Sequence, residues 1–420
     1  MALAVGAVAG GAPACAQTQN EVPFTHPDDV PAPDETKSFD AALLQATGVA
    51  LAEGHEVELV NNGALFDRMV ELIGRARRSV HVVVFIWRPG EPSNRILEAL
   101  ANRREGVACR VVVDPLGATG SFEEEVQPKL AQLGCDARLY RPVTKVEHRE
   151  RLARNHRKLV IVDGEWGLTG GFGIHESWLG DGVSGEEQWR ETNALIHGPA
   201  VREMQLAFAE DWQEVGGGLL PEETLPEPSK LEKRSKGEAR AAFSKSSPGP
   251  GGTAADKLTQ LVIASAKERL WISNAYFVPS EAILQLLEEK RREGVDVRVL
   301  AAGPVHDWKV VLEAQRAAYP RLLEAGVRIW EYQPSMMHAK TVLVDDRLSV
   351  IGSTNLDPLS LNRLEEGSIV VDDRKLAEDL AKTFERDLGY AKEIRESDLE
   401  TPTPWRRISR HLTRMLGRWP

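Results

Sequence analysis

The sequence predicts an α/β fold of two duplicated halves, each a mixed β-sheet flanked by helices, with a site at the interface between them. Three observations predict it. The spacing His156-x-Lys158-x4-Asp163 recurs as His338-x-Lys340-x4-Asp345, at an offset of 182 residues. Each copy runs on through an apolar β-type stretch into small residues, Gly170–Gly171 in the first and Gly352–Ser353–Thr354–Asn355 in the second. Around both copies helical and apolar stretches alternate in the same order, and Arg104–Glu105–Gly106–Val107 is echoed by Arg292–Glu293–Gly294–Val295. A repeat of roughly 180 residues is too long for a solenoid and suits two fused units.

Residues 1–38 read as a signal-like or disordered leader. Met1 to Gln17 is uncharged and rich in Ala, Gly and Val, resembling the later part of a secretory signal without its positive start. The stretch that follows is proline-rich and acidic, without periodicity. The first half, 39–215, opens with a helix over Ala41–Ala52, a strand at Val57–Val60, a turn at Asn61–Gly63 and an amphipathic helix over Leu65–Arg77. Val80–Trp87 is a continuous apolar run, the pattern of a strand buried on both faces. A helix over Ile96–Arg104, a strand at Cys109–Val113, a helix over Val126–Leu133 and a strand at Asp136–Tyr140 follow. Cys109 and Cys135 read as two buried free thiols, with a disulfide possible in an oxidising compartment.

Residues 216–253 hold Gly216–Gly217–Gly218, several prolines, a Lys/Glu-rich run and Ser246–Ser247–Pro248–Gly249–Pro250–Gly251–Gly252. That composition reads as a surface linker with few hydrophobic anchors. The second half, 254–400, repeats the programme with helices over Ala255–Lys267, Glu281–Arg292 and Val311–Glu324. Its strands are Leu270–Tyr276, Val297–Ala301 and Val327–Tyr332, the last leading to His338.

The period of a strand sets His338 and Lys340 on one face, and His156 with Lys158 likewise. Asp163–Gly164 is a hairpin turn signal, so each half presents one imidazole and one ammonium from a β-hairpin. Two His and two Lys brought together suit phosphodiester chemistry. One neutral imidazole attacks phosphorus and forms a phospho-histidine. The other, protonated, donates to the leaving alkoxide and then takes a proton from the incoming hydroxyl. Lys158 and Lys340, with donors from Gly171, Ser353 and Asn355, stabilise charge on the phosphoryl oxygens. The lysines already supply positive charge, so no metal and no cofactor is expected. Glu191 and Glu366 follow their histidines where strands return and are candidates to orient the imidazoles. Asp163 and Asp345 complete the catalytic motif, although their places at turns read as structural.

The paired motifs resemble those of the phospholipase D superfamily, whose defining pattern is two His-x-Lys-x4-Asp motifs in duplicated α/β lobes. Within it the chain is most similar to bacterial cardiolipin synthases. The similarity lies in Arg154–Asn155–His156–Arg157–Lys158, Trp189–Arg190–Glu191–Thr192, Ala275–Tyr276–Phe277–Val278–Pro279, Tyr332–Gln333–Pro334 and Gly352–Ser353–Thr354–Asn355–Leu356–Asp357–Pro358. The resemblance implies His156 as nucleophile and His338 as acid/base, roles that chemistry alone leaves interchangeable. It also implies a phosphatidyltransferase joining two phosphatidylglycerols into cardiolipin. The alternatives are a phospholipase D releasing phosphatidic acid and a nuclease of the same superfamily. One departure stands out: Gly170–Gly171–Phe172–Gly173 lacks the asparagine that usually closes this cluster, so one polar contact of the first half is expected to be absent.

Charge and the C-terminus bear on partners. A net charge of −11 does not suit a non-specific nucleic-acid binder, so no nucleic acid is expected. No apolar run is long enough to span a bilayer. The tail, 401–420, carries five arginines and no acid after Glu400, with Trp405, Ile408, Leu412, Met415, Leu416 and Trp419 on one helical stripe. That is the pattern of an interfacial helix; the alternative is a helix packed on the body. The expected partners are an anionic phospholipid substrate and a peripheral membrane surface, on an exported or cytoplasmic face, for a monomer. His306 follows a strand end and either lines the cleft or is a simple loop histidine, while His175 and His197 read as ordinary surface or packing residues.

Overall fold

The computed structural model describes residues 23, 24, 26, 29–142, 153–249 and 252–399. The expected signal-like segment up to residue 22 and the amphipathic tail lie outside the described residues. In the first half the strands are β1 (Ala52–Asn61), β2 (Ser79–Val84), β3 (Ala108–Val113), β4 (Cys135–Leu139), β5 (Leu159–Val162), β6 (Trp166–Gly170) and β7 (Thr192–His197). In the second they are β8 (Ala239–Ser246), β9 (Arg269–Asn274), β10 (Asp296–Ala302), β11 (Arg328–Tyr332), β12 (Thr341–Val344), β13 (Leu348–Gly352), β14 (Glu366–Asp372) and β15 (Ala391–Ile394).

Among the described residues these strands form one sheet, ordered β15-β11-β10-β9-β12-β13-β14-β8-β1-β7-β6-β5-β2-β3-β4. Read outward from the centre, β1-β7-β6-β5-β2-β3-β4 is matched by β8-β14-β13-β12-β9-β10-β11, with β15 added at one edge. The duplication is therefore structural as well as sequential. The sheet is mixed: β2, β3 and β4 run parallel, as do β9, β10 and β11, while the hairpins β5–β6 and β12–β13 are antiparallel. All six residues of β2 are buried, as the apolar run requires of a strand covered on both faces.

Three expectations are corrected here. The expected surface linker contains β8, which sits at the centre of the sheet, pairing with β14 from Arg240 to Ser246 and with β1 across the joint. Its residues are small (Ala239, Ala241, Ala242, Ser244), so central position buries it rather than β-propensity. The expected helix Val311–Glu324 is two, Lys309–Arg316 and Tyr319–Glu324, because Pro320 removes an amide from the ladder and starts a new first turn. Cys109 and Cys135 form a disulfide instead of two free thiols. Parallel pairing of β3 and β4 sets them opposite each other, with Cα atoms 4.6 Å apart.

A buried cluster spans the joint. Met204, Phe208 and Trp212 of the helix Val201–Glu214 pack with Ile161 and Ile196 of the first half and Phe243, Ile351 and Ile369 of the second. The two halves share this core, which fixes the hairpins β5–β6 and β12–β13 relative to each other.

Candidate active site

Both histidines stand just before a strand rather than within one, since β5 begins at Leu159 and β12 at Thr341. The expected strand placement is corrected for a specific reason: their amides bond across the joint. His156 N donates to Glu365 O at 2.9 Å, and His338 N donates to Arg190 O at 2.8 Å. Parallel bridges Asn155–Glu365 and Arg190–Met337 continue that exchange. Each histidine is thus seated beside the acid of the opposite half.

The carboxylates follow. His156 Nδ1 lies 2.9 Å from Glu366 Oε1, and His338 Nδ1 lies 2.6 Å from Glu191 Oε2. Sequence order assigns each glutamate to the histidine of its own half; the structure exchanges them. Both pairs are buried and leave Nε2 of each ring for a substrate. Lys158 Nζ donates to His156 O at 2.6 Å, and Lys340 Nζ approaches both O and Nδ1 of His338. The four groups act on one another electrostatically: Lys340 lowers the His156 pKa and Lys158 lowers that of His338.

The two dyads differ. Glu366 accepts from the hydroxyls of Ser353 and Ser360. Burial pushes its carboxyl up, but His156, Lys158 and Ser353 together hold it below the ordinary value. Among the described residues Glu191 accepts, apart from His338, from Trp178 Nε1 at 3.2 Å and Thr192 N at 3.0 Å. Burial raises it to about 7. Burial also depresses both imidazoles, His338 far below 6.5 with Lys340 adding to the effect. It depresses Lys158 strongly and brings Lys340 to about 8. An arriving phosphodiester anion opposes the depression of the imidazoles and lysines, because negative charge favours their protonated forms.

Gly171 and Ser353 occupy matching positions. A Cβ on Gly171 would come 2.5 Å from Glu191 Oε2, so glycine makes room there for the carboxylate. Asn355 is buried, and its Oδ1 has no hydrogen-bond partner among the described residues. Its counterpart Gly173 faces Trp178, whose ring a Cβ would meet at 2.7 Å. Trp178 in turn packs edge-on against His338 with ring centres 5.2 Å apart. The asparagine absent from the first half has given its place to an indole that holds Glu191 and His338.

Asp163 and Asp345 are not brought to the site, which corrects their place among the catalytic residues. Five residue steps along an extended strand separate Lys158 from Asp163, roughly 17 Å. Asp163 carboxylate oxygens accept from the amides of Arg77 (2.9 Å), Arg78 (2.7 Å) and Ser79 (2.9 Å). Asp345 does the same for Lys267, Glu268 and Arg269. Both take φ near +55°, at 57° and 54°, which Asp tolerates better than most residues. Asp163→Ala is expected to cost about 2 kcal/mol or more in urea unfolding, from lost amide bonds and backbone strain. The folded variant should keep a near-normal kcat; a loss of about a hundredfold, the scale of a catalytic proton-transfer group, would return Asp163 to the chemistry.

Sequence reasoning missed several supporting residues. Asp114 bonds Arg154 Nε and Asn155 N, each at 2.9 Å, and anchors the segment leading to His156. Phe85 packs edge-on to His156 at 5.4 Å. Arg190 forms a buried ion pair with Asp387 of the other half at 2.7 Å. Arg154, Asn155 and Arg190 lay in the quoted Arg154–Lys158 and Trp189–Thr192 stretches, but nothing in the sequence revealed Asp114, Phe85 and Asp387 as their partners or neighbours.

Comparison with known proteins agrees with this geometry. The family model described as "Cardiolipin synthase, PLD-like domain" matches residues 69–212 and 261–388. Cardiolipin synthase 1 of Bacillus cereus is 28% identical over 399 residues, covering 92% of this chain and 77% of that protein. Cardiolipin synthase of Geobacillus kaustophilus is 31% identical, covering 86% of this chain and 71% of that protein. The crystal structure of a phosphatidylserine synthase from Haemophilus influenzae shares the fold, with a TM-score of 0.66 at 14% identity over 90% of this chain and 96% of that one. Two matched lobes, each supplying a His–Lys pair to one site, place the chain in the phospholipase D superfamily, as an enzyme of the cardiolipin-synthase-like family.

Proposed function

We propose that this enzyme transfers a phosphatidyl group from one phosphatidylglycerol to the hydroxyl of another, forming cardiolipin and releasing glycerol. The observation that carries the reading is the crossed pair of dyads, His156–Glu366 and His338–Glu191, each with its lysine. The cardiolipin synthases among its relatives support the substrate.

His156, depressed by burial, is neutral and held at Nδ1 by Glu366. Its Nε2 lone pair attacks phosphorus, and the phosphorus–oxygen bond to glycerol breaks. Lys158 and Lys340 neutralise charge on the non-bridging oxygens. The substrate anion raises the pKa of His338, whose Nε2 proton goes to the departing alkoxide. A second phosphatidylglycerol then gives its hydroxyl proton to His338. Its oxygen attacks the phosphatidyl-histidine and restores His156. Phosphatidylglycerol vesicles with product analysis by lipid chromatography test the reading. Cardiolipin with equimolar glycerol is expected; phosphatidic acid alone would make water the acceptor, and no product would overturn the proposal.

The reaction is proposed to run at a membrane surface, supported by the basic amphipathic pattern of 401–420. No helix among the described residues is long and apolar enough to cross a membrane. Each arginine near anionic lipid contributes roughly 1 kcal/mol, screened by salt. Deleting 403–420 is therefore expected to weaken binding to phosphatidylglycerol vesicles in flotation assays, most clearly at low salt. Unchanged binding would remove the tail from the membrane role.

A further inference from the structure

The surroundings of the two histidines are unequal. Beside His156 stand an aromatic face, Phe85, and the Asp114–Arg154 pair, whose charges are spent on each other. The His338 side carries a polar cluster from the loops after β9 and β10. Tyr276 OH donates to Asp307 Oδ2 at 2.6 Å, and the Tyr276 and His306 rings stack with centres 5.4 Å apart. His306 Nδ1 accepts from Trp308 N at 2.9 Å and lies 3.3 Å from Asp307 Oδ1; as acceptor of the shorter contact it leaves the ring proton on Nε2. That Nε2 is buried and has no hydrogen-bond partner among the described residues. Asp307 keeps 35% of its side chain exposed.

Backbone register brings this cluster to the reacting end of the site. β9 and β12 pair antiparallel with Thr341, the first residue of β12, opposite Ser273 near the end of β9, so the segment leaving β9 toward Tyr276 and the segment entering β12 from His338 lie at the same end of the sheet. Asp307 and His338 also feel each other's charge. A carboxylate here repels phosphoryl oxygens, so the cluster is no phosphate cradle. Asp307 accepts hydrogen bonds and His306 offers an unused N–H, a complement suited to adjacent hydroxyl groups. The acid/base histidine must touch the oxygen of the leaving and the incoming alcohol, so whatever binds beside His338 is the alcohol part of the substrate.

We propose that Tyr276, His306 and Asp307 form a polyol subsite that holds the glycerol headgroup next to His338, both as it leaves and as it accepts. The inference rests on the transferase reading, with His338 as acid/base. It makes the cluster a determinant of headgroup choice, because a site built to bond hydroxyls discriminates against alcohols that lack them.

The experiment presents phosphatidylglycerol and phosphatidylethanol of the same acyl chains together in mixed micelles, so that phosphatidylglycerol is the acceptor for both, and measures kcat/KM for each donor from the glycerol and ethanol released. The ethyl group cannot use the cluster. Wild-type enzyme should prefer phosphatidylglycerol, and Asp307→Asn should lower that preference ratio by about tenfold or more. Tyr276→Phe, which removes one hydroxyl only, should lower it in the same direction. General damage to the fold lowers both substrates together and leaves the ratio standing. A ratio within about twofold of wild type in both variants, well short of the discrimination such a site confers, overturns the subsite alone. A wild-type enzyme inert on both lipids overturns the transferase reading and the subsite with it.

Discussion

His156→Ala is expected to lower cardiolipin formation by about a thousandfold or more, because it removes the atom that bonds to phosphorus. His338→Ala should lose a similar factor for a different reason. His156 can still attack, but the alkoxide leaves without a proton and the next hydroxyl is not activated. The two variants therefore separate under rapid quench with radiolabelled phosphatidylglycerol. Wild type and His338→Ala should carry acid-labile label on the protein, and His156→Ala should carry none. Label on His156→Ala, or turnover above about a hundredth of wild type in either variant, would sink the shared two-histidine site. The expectation rests on the exchange of partners across the joint. Each imidazole is oriented by the glutamate of the other half, so neither half holds a complete dyad.

That exchange was the part of the site the sequence concealed. The repeated spacing marks His156, Lys158, His338 and Lys340, because two identical polar patterns on apolar runs need a common cause. Glu191 and Glu366 were legible as acids at strand returns, but sequence distance favours partners within one half. Only the antiparallel meeting of β1 with β8 turns the halves so that each acid faces the other's histidine. β8 was hidden for a related reason: Ala and Ser gain burial from their central place, and no periodicity announces it. The turn positions of Asp163 and Asp345 did disclose their structural use, which the motif pattern alone obscures. Trp178 in place of an asparagine was beyond reach, since filling the space over Gly173 depends on how a distant loop folds back.

Arg157→Ala should be the most destabilising single change at the joint. The motif's second copy has Ala339 at this place, so the arginine belongs to the asymmetry of the two halves and not to the chemistry. Its guanidinium is fully buried, 2.8 Å from both Asp211 and Glu365, and donates to Ser247 Oγ at 2.9 Å. It ties the helix Val201–Glu214 of the first half to the strand entry at Glu365 in the second. Removing it leaves two carboxylates without their cation in a buried setting, a loss on the order of 3–5 kcal/mol. Arg374→Ala, at an exposed pair with Asp346, should leave the urea midpoint where it is. The deficit should also depend on pH. Burial raises Asp211 to about 6, against an unfolded value near 3.9. A folded value above the unfolded one favours the folded state below about pH 4, and that advantage is lost as pH rises through 6. Without Arg157 to hold the anion the loss is steeper, so the variant should fall furthest behind wild type at pH 7 and recover part of the gap at pH 5. Equal midpoints for Arg157→Ala and wild type at pH 7 would show that the joint is held by its apolar core alone, with the buried ion pairs contributing nothing to its strength.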